Sequence, residues 1–393
     1  MKRKICFVTG SRADYGLLRW VMQEVKDDPE MTLQVIVTGM HLSSIFGLTY
    51  KDIETDGFVI DRKVFALSDD DSPVGIGVAM SNVLVGCAEA FHDLRPDIIV
   101  VLGDRFEIFA AASAALVARI PVAHLHGGES TVGAFDEAMR HSITKMSHLH
   151  FVAAREYRDR VIQLGESPDT VFLVGGLGLD NLKNLQLLTK QELEASLNFK
   201  FDKKSLLITF HPVTLEDETG ESQIIELFSA LSELENTTLI ITLPNADTGG
   251  HSLIKIIEEF AYKHKNVKVF PSLGQVRYLS CLNVVDAVVG NSSSGLIEAP
   301  SFKKGTINIG DRQLGRLQAS SVINCAPERV SILTAIRKLY SYDFQLQLSE
   351  TINPYGEGGG SSKVVEILRT VSTNGIVKKS FHDIYFEHDN EEV

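Results

Sequence analysis

Short, uninterrupted apolar runs alternate along the chain with longer stretches of helical periodicity, and this alternation limits the fold more than any other feature. Within most of the runs the apolar residues are consecutive, whereas a strand with one solvated face has an apolar residue at every second position. Consecutive apolar residues indicate burial on both faces, which is typical of parallel sheets covered by crossover helices. The runs are KICFVTG, LQVIVTG, DIIVVLGD, PVAHLHGG, LHFVA and VFLVGG, followed by SLLITFHP, TLIITLPN, VKVFPS, VVDAVVGNSSS, GTINIG and SVINC.

The two groups of runs predict two lobes, each a doubly wound, Rossmann-like α/β unit. Turn-forming residues from Gly175 to Leu185 separate the groups. We therefore predict an N-terminal lobe over residues 1–176 and a C-terminal lobe over residues 177–360. A last helix at about 361–393, beginning at a Ser cap after a Gly-rich loop, is predicted to cross back to the N-terminal lobe.

The net charge and the cysteine spacing exclude several classes of binding partner. Lys and Arg number 38 against 51 Asp and Glu, a net charge of −13, and such a field repels nucleic acids and anionic lipid surfaces. The longest apolar run, Ile108–Val117, is too short to span a bilayer, so no membrane partner is expected. The four cysteines lack the spacing of a zinc site, and a cytoplasmic protein with reduced thiols is predicted.

The residue types that follow the first two strands argue against a nicotinamide cofactor. Ligands of open parallel sheets bind at the carboxyl ends of the strands. The segment GSRADYG after the first strand is not a GxGxxG fingerprint, and no acidic residue closes the second strand. Arg12 in this segment is positioned to hold a phosphate next to the N-terminus of the following helix.

Three further strand ends carry groups suited to acid and base catalysis. They contribute Asp104 in LGDR, then His126, Glu129 and Asp136 in HLHGGESTVGAFDEAMRHS, and His211 in FHPVT. Carboxylates beside a histidine supply one group that removes a proton and another that donates one. For Asp136 the alternative of a simple interaction with a helix dipole stays open. The spacing fits no metal site, and we expect neither a metal nor a cofactor.

The strand end VVGNSSSGLIEAP in the second lobe predicts a phosphate site. A run of hydroxyls followed by glycine opens a predicted helix there, and backbone amides at a helix start bind phosphate. A glutamate one turn later could accept hydrogen bonds from ribose hydroxyls, and an arginine near the next strand end is aimed at phosphate. An ordinary Ser cap is the alternative. The candidate residues are Ser292, Ser293, Ser294, Gly295, Glu298 and Arg312.

Taken together, these motifs resemble those of the hydrolysing UDP-N-acetylglucosamine 2-epimerases. GSRADYG, VTGMH, LGDR, HGGE with DEAMRHSITK, FHPVT, LPNADTG, GNSSSGLIEAP and INIGDRQ follow one another in the order of that family, over about residues 4 to 365. The resemblance implies a fold like that of the B-type glycosyltransferases, with two Rossmann-like lobes and the sugar nucleotide in the cleft between them. The C-terminal lobe would bind UDP.

The resemblance also implies an activity. UDP-N-acetylglucosamine would lose UDP to give 2-acetamidoglucal, and hydration would give N-acetylmannosamine for sialic acid synthesis, without a cofactor. It implies a homo-oligomer, a dimer or tetramer. Family members often have Glu at the position of His126, so either His126 takes that role, or Glu129 does, or the substrate differs. The implied catalytic residues are Asp104, Asp136 and His211 with Glu129 beside them, and the implied substrate contacts include His41, Arg140 and Asn245.

Several alternatives stay open at this point. The nearest is the same reaction on UDP-2,4-diacetamido-2,4,6-trideoxyglucose, for legionaminic acid synthesis. Others are a non-hydrolysing epimerase, a glycosyltransferase of the same fold, and a catalytically silent protein that only binds the sugar nucleotide. The presence of Asp104, Asp136 and His211 argues against the silent protein.

Overall fold

A computed structural model describes residues 2–44, 46–66, 72–130, 136–211, 220–243 and 250–384 of the chain. The chain divides into two units, which we call unit 1 and unit 2. Unit 1 comprises Met1–Asn181 and Gly358–Val393, and unit 2 comprises Leu182–Glu357.

The apolar runs of the first half form one parallel sheet in unit 1, as predicted. Its strand order is β3-β2-β1-β4-β5-β6-β7. β3 is a two-residue, solvent-exposed edge strand, and the sequence analysis missed it because it has no apolar run. The strands are β1 (Arg3–Thr9), β2 (Met31–Val37), β3 (Arg62–Lys63), β4 (Ile98–Leu102), β5 (Val122–Leu125), β6 (Leu149–Val152) and β7 (Val171–Leu173).

Helices cover both faces of this sheet, which explains why its strands are apolar throughout. α1 packs on one face in a core that includes Phe7 and Leu18, while α3 and α4 pack on the other in a core that includes Cys87 and Ile108. The helices are α1 (Arg12–Asp27), α2 (Tyr50–Thr55), α3 (Pro73–Leu94), α4 (Phe106–Val117), α5 (Asp136–Met146), α6 (Arg155–Gln163) and α7 (Asp180–Asn184).

The helix α3 corrects one expectation of the sequence analysis. Within the described ranges it is the helix long and apolar enough to cross a membrane, by length and composition only. Ser81, Asn82 and Glu89 interrupt its apolar residues, so α3 contains no long unbroken apolar run. A core helix meets the same two criteria, and Val83 and Phe91 on its buried face pack on the sheet of unit 1.

The apolar runs of the second half form the parallel sheet of unit 2, again as predicted. Its strand order is β10-β9-β8-β11-β12-β13. The strands are β8 (Lys204–Thr209), β9 (Thr237–Thr242), β10 (Val267–Phe270), β11 (Ala287–Gly290), β12 (Gly305–Ile309) and β13 (Val322–Cys325). The helices are α8 (Lys190–Leu197), α9 (Gly220–Leu231), α10 (Gly250–Lys263), α11 (Gly274–Val284), α12 (Ser294–Ile297), α13 (Arg329–Leu339) and α14 (Tyr342–Ser349).

The last helix, α15 (Gly360–Thr370), belongs to unit 1 and packs on α1. It is shorter than the predicted 361–393, because the backbone at Val371 is extended. Its start also differs from the predicted Ser cap. The carboxylate of Asp180 accepts hydrogen bonds from the backbone amides of Gly359, Gly360 and Ser361, so a side chain distant in sequence caps this helix.

Each sheet has a point where the chain reverses its direction of winding. In unit 1 this point lies between β1 and β4, and in unit 2 it lies between β8 and β11. Because the flanking crossovers lead away in opposite directions, the loops after these two strands leave a crevice at the carboxyl edge, where ligands of such sheets bind. The candidate residues Asp104 and His211 follow β4 and β8.

Candidate functional site

Asp104 and Arg140 form the centre of the polar edge of unit 1. The Asp104 carboxylate, 19% exposed, accepts a hydrogen bond from Nη2 of Arg140, and Nη1 of Arg140 donates to the backbone carbonyl of His126 at 3.0 Å. Burial raises the pKa of Asp104, and the charges of Asp136 and Glu129 act in the same direction against that of Arg140. Asp104 is thus a carboxyl group that binds a proton more readily than an ordinary aspartate.

His126 and Glu129 form a hydrogen-bonded pair on the neighbouring loop. Nδ1 of His126 lies 2.7 Å from Oε1 of Glu129, and its Nε2 accepts from the backbone amide of Leu177 at 3.4 Å. This arrangement assigns the ring proton to Nδ1, which donates to the carboxylate. From the sequence, either His126 or Glu129 could replace the Glu that family members have at position 126. In the structure these two side chains form one hydrogen-bonded pair.

Two residues predicted to contact the substrate are buried in unit 1. Arg140 is 5% exposed, and its described hydrogen bonds position Asp104 and the His126 loop. His41 has no exposed surface, and its ring nitrogens lie 3.0 Å from Oγ1 of Thr9 and 2.8 Å from Oγ1 of Thr49. Burial lowers the pKa of His41 to about 4, so this ring is neutral, and it connects the end of β1 with the residue before α2. Their substrate contacts stay predictions.

Asp136 and Arg12 lie where helices begin. Asp136 is the first residue of α5 and is half-buried, and its charge raises the pKa of Asp104. Arg12 is the first residue of α1, with its side chain 67% exposed and Nε 4.0 Å from the Asp52 carboxylate. Both sit at the carboxyl edge of the sheet, and their predicted roles in proton transfer and phosphate binding stay predictions.

Three charged residues that the sequence analysis left without a role lie at the same edge. Nε of Arg105 donates to Oε1 of Glu107 at 2.6 Å, and Glu107 has no exposed surface. Asp14 is buried nearby, and burial together with the charge of Glu107 raises its pKa to about 7 against the opposing charge of Arg105. The spacing of Arg105 and Glu107 gives no signal of this pair, because residues two positions apart do not face each other on a helix; the pair forms because Arg105 precedes α4 with an extended backbone.

In unit 2, Asn291 joins the loops that follow β8 and β11. Its Oδ1 accepts from the backbone amide of His211 at 2.7 Å, and its Nδ2 donates to the His211 carbonyl at 2.9 Å. The carbonyl of Asn291 accepts from Nη1 of Arg312 at 3.0 Å and from Nε2 of Gln313 at 2.8 Å. Asn291 therefore brings His211 and Arg312 together, although the sequence analysis gave it no role.

The hydroxyl run of unit 2 opens a shorter helix than expected. α12 is a single turn that ends before Pro300, so the predicted phosphate site has the amides of one turn and not those of a long helix. The hydroxyl of Tyr278 donates to Oγ of Ser294 at 2.8 Å. Burial raises the pKa of Glu298 to about 7, while a hydrogen bond with Ser294 acts against this shift. Ser292 and Ser293 are half-buried.

Two glycines of this segment are required by close packing. Gly290 has a φ of +136°, and a Cβ there would overlap the carbonyl of Thr209 on the neighbouring strand. A Cβ at Gly295 would overlap the side chain of Thr306. Gly295 is a predicted phosphate-binding residue, and its packing on Thr306 is an additional reason for glycine at this position. The predicted contact of Asn245 falls outside the described residues.

His211, which follows β8 in unit 2, has a neutral imidazole ring. Burial lowers its pKa to about 4, and the charge of Arg312 contributes to this shift. Its Nδ1 is buried without a hydrogen-bond partner among the described residues. A neutral imidazole with an unused nitrogen can accept or relay a proton. Across the described ranges, no group of three or more His, Cys, Asp or Glu side chains is placed to hold a metal ion.

Comparison with known proteins identifies the family. A family model described as UDP-N-acetylglucosamine 2-epimerase matches residues 23–369. The chain belongs to the UDP-N-acetylglucosamine 2-epimerase family. It is 42% identical over 385 residues to the GDP/UDP-N,N′-diacetylbacillosamine 2-epimerase (hydrolyzing) of Campylobacter jejuni, covering 98% of this chain and 100% of that one. It is 40% identical to the polysialic acid biosynthesis protein P7 of Escherichia coli, covering 97% and 98%.

The solved structures of this epimerase family share the fold. The crystal structure of UDP-GlcNAc 2-epimerase from Neisseria meningitidis bound to UDP-GlcNAc has a TM-score of 0.73 and covers 93% of this chain and 99% of its own, at 20% identity. The predicted two-sheet fold, like that of the B-type glycosyltransferases, is thus confirmed. The predicted class of enzyme, a hydrolysing UDP-sugar 2-epimerase, is confirmed as well.

Proposed function

We propose that this epimerase hydrolyses a UDP-linked 2-acetamido sugar and inverts its C2 centre, releasing UDP. One observation carries the proposal. In unit 1, hydrogen bonds connect four side chains into one set: Asp104, Arg140, His126 and Glu129. Burial raises the pKa of Asp104 within this set. Such a set supplies the proton acceptor and proton donor that a change of configuration at carbon requires.

The chemistry of C2 requires that the bond to UDP breaks. No carbonyl group is adjacent to C2, so a C2 carbanion has no stabilisation and the proton leaves only as the C1–O bond opens. The pair of electrons from the C2–H bond forms the C1–C2 double bond, and UDP departs with the C1–O electrons. The leaving diphosphate develops charge, and we assign Ser292, Ser293 and Arg312 of unit 2 to its stabilisation.

Water then adds across the double bond of the 2-acetamidoglucal. A base removes a proton from the water that attacks C1, and an acid donates a proton to C2 on the face that gives the epimer. We assign these tasks to Asp104 and to the His126–Glu129 pair, because both lie at the carboxyl edge of unit 1. Glu298, whose pKa is raised to about 7 by burial, is assigned to the ribose hydroxyls.

The first candidate substrate is UDP-N,N′-diacetylbacillosamine, the 2,4-diacetamido alternative of the sequence analysis. The relative of 42% identity acts on this sugar, and the match extends over the whole of both chains. UDP-N-acetylglucosamine is the second candidate. The matching family model carries its name, and the relative of 40% identity is a polysialic acid biosynthesis protein, which agrees with the sialic acid synthesis that the resemblance implies.

Proton NMR in deuterated water tests both parts of the proposal. The purified protein is incubated separately with the two sugar nucleotides, and with the GDP form of the diacetylated sugar because the name of the first relative admits GDP. We expect UDP and a free 2-epimer carrying deuterium at C2 from the diacetylated substrate. Faster turnover of UDP-N-acetylglucosamine would select the second candidate. UDP release without deuterium at C2, or no turnover of any substrate, would overturn the reaction itself.

We also expect the enzyme to act in the cytoplasm, as its cysteine spacing indicates, and to be a dimer or tetramer without a cofactor, as the family resemblance implies. Light scattering of the purified protein measures its mass, and a monomeric mass would contradict this expectation.

A further inference from the structure

Glu107 is a charged group buried without an evident structural need. Its side chain has no exposed surface, and its Oε2 has no hydrogen-bond partner among the described residues. A buried carboxylate with an unused oxygen is costly, because the lost hydration is replaced only in part. Its position in the first turn of α4 gives it the favourable end of the helix dipole, but an exposed carboxylate there would have the same benefit.

The loops after β1 and β2 are built around this carboxylate. A Cβ at Gly10 would overlap Glu107, and a Cβ at Gly39, which has a φ of +56°, would lie 3.0 Å from its Oε1. The two loops also contact each other, since the amide of His41 donates to the carbonyl of Gly10 at 3.3 Å. The glycines at these positions therefore leave space for Glu107, which is a reason for them beyond turn formation.

The described partner of Glu107 is Arg105, whose side chain is 35% exposed. Nε of Arg105 donates to Oε1 of Glu107 at 2.6 Å, and its Nη2 lies 3.4 Å from the sulfur of Met40. The Nη1 group donates no hydrogen bond to a described residue. Thus two nitrogens of the guanidinium have partners in the protein, while the third has none among the described residues.

Arg105 also acts on the groups assigned to proton transfer. Its charge opposes the rise in the pKa of Asp104, which is assigned to proton transfer, and the charge of Asp136 acts on Arg105 in return. Arg105 follows Asp104 directly in the chain, at the end of β4. A displaced guanidinium would therefore change both the binding of the substrate and the electrostatics of the acid and base groups.

We infer that Glu107 is a positioning residue, which fixes the guanidinium of Arg105 so that its outer nitrogen meets an oxygen acceptor of the sugar nucleotide. This role rests on the proposed function. The acceptor is either a diphosphate oxygen or the carbonyl of an acetamido group, since both are oxygens that a guanidinium binds. Glu107 itself does not touch the substrate, because it is fully buried.

A double-mutant cycle tests the inference with the full-length enzyme. The variants are Glu107→Gln, Arg105→Lys and the combination, assayed for kcat/KM with the substrate that the wild type turns over. We expect each single change to lower kcat/KM by about 10- to 100-fold, the loss typical of a misplaced binding group. We expect the double variant to be no worse than Arg105→Lys, because Glu107 acts through Arg105.

Two results would overturn the inference that Glu107 positions Arg105. One is a double variant in which the two losses multiply, and the other is Glu107→Gln with kcat/KM within about 2-fold of the wild type. If Glu107→Gln does not fold, Glu107→Asp keeps the charge but withdraws the carboxylate, and the same cycle is run with it. Failure of the wild type itself to release UDP would instead reject the proposed function and leave Glu107 without the role inferred here.

Calorimetry with UDP identifies the acceptor. A loss of UDP affinity in Glu107→Gln parallel to the loss of kcat/KM assigns the diphosphate, and an unchanged UDP affinity with a lowered kcat/KM assigns the acetamido carbonyl. Glu166→Gln is the matched control, because Glu166 is also a buried carboxylate of unit 1 with cationic partners. We expect this control to lose stability while its kcat/KM at 25 °C stays within about 3-fold of the wild type.

Discussion

The buried ion cluster around Glu166 allows a stability prediction to be worked out from the structure. The Glu166 side chain is 3% exposed, and its oxygens accept from Nζ of Lys145 at 2.5 Å, Nε2 of His150 at 3.0 Å and Nζ of Lys379 at 2.8 Å. Lys379 lies in the segment after α15, so the cluster attaches that segment to unit 1. Glu166→Gln keeps the shape of the side chain and removes its charge.

The magnitude follows from the pKa of this carboxyl group. Burial acts to raise it, but the hydrogen bonds from His150, Lys145 and Lys379 outweigh burial and lower the pKa from 4.5 to about 2. A carboxylate with a lowered pKa stabilises the fold fully above the ordinary pKa and loses this effect as the pH falls toward the lowered value. The shift corresponds to about 3 kcal/mol of unfolding free energy at neutral pH.

Urea unfolding followed by tryptophan fluorescence measures this free energy for unit 1. Trp20 is the only tryptophan of the chain, and its Nε1 donates to Oδ1 of Asn181 at 2.7 Å, so its emission reports this unit. We expect Glu166→Gln to be less stable than the wild type by about 3 kcal/mol at pH 7, with the difference narrowing at pH 3. His124, whose pKa is lowered to about 3 by burial, is hydrogen-bonded to Thr144 and Gly103 and not to Glu166, so its titration is common to both proteins and cancels.

The control is Asp93→Asn, which removes the exposed ion pair with Arg62, where both side chains are about half exposed. Such pairs contribute at most about 1 kcal/mol. The reasoning is refuted if Glu166→Gln costs no more than this control at pH 7. A difference that stays constant between pH 7 and pH 3 would refute it equally.

Three further predictions concern single residues. Asp104→Asn is expected to abolish deuterated product in the NMR assay while UDP affinity by calorimetry stays within about 3-fold; loss of both would assign Asp104 a structural role. Gly290→Ala is expected to lower the melting temperature of unit 2 through about 1 to 3 kcal/mol of backbone strain at a φ of +136°, and a melting temperature equal to that of the wild type would contradict the close packing on Thr209. Asp180→Ala is expected to speed hydrogen exchange at the start of α15 by about 10-fold, because its three amide bonds are lost, and unchanged protection would count against this cap.

Most of the fold could be predicted from the chain because its strands are buried on both faces. Continuous apolar runs such as Ile98–Leu102 have few other places in a folded protein, and the runs were confirmed as strands. The short edge strand Arg62–Lys63 was not predicted, because a two-residue exposed strand has no apolar pattern. The short length of α12 was not predicted, because the residues from Ser294 to Glu298 fit a longer helix equally well. Pro300, which cannot continue the helix, comes only after them.

The candidate site was predicted in its residue types but not in its pairings. Asp104, His211 and Ser292 were identified because they follow strands directly, and a strand end is visible in the sequence. The burial of His41 between two threonines was not visible, because a histidine after a strand has the same pattern whether its ring is exposed or buried. The hydrogen bonds of Asn291 with the His211 backbone join positions 80 residues apart, for which no local pattern exists.

The sequence by itself determined which segments are strands, that two parallel sheets form, and which polar residues stand at their carboxyl ends. Only the tertiary structure decided which of those ends are neighbours. The order of strands places β4 beside β1 and β11 beside β8, and this order depends on how each crossover helix packs. The apolar pattern is the same whichever neighbour a strand has, so the contact of Glu107 with the loops after β1 and β2 exists only once the sheet is assembled.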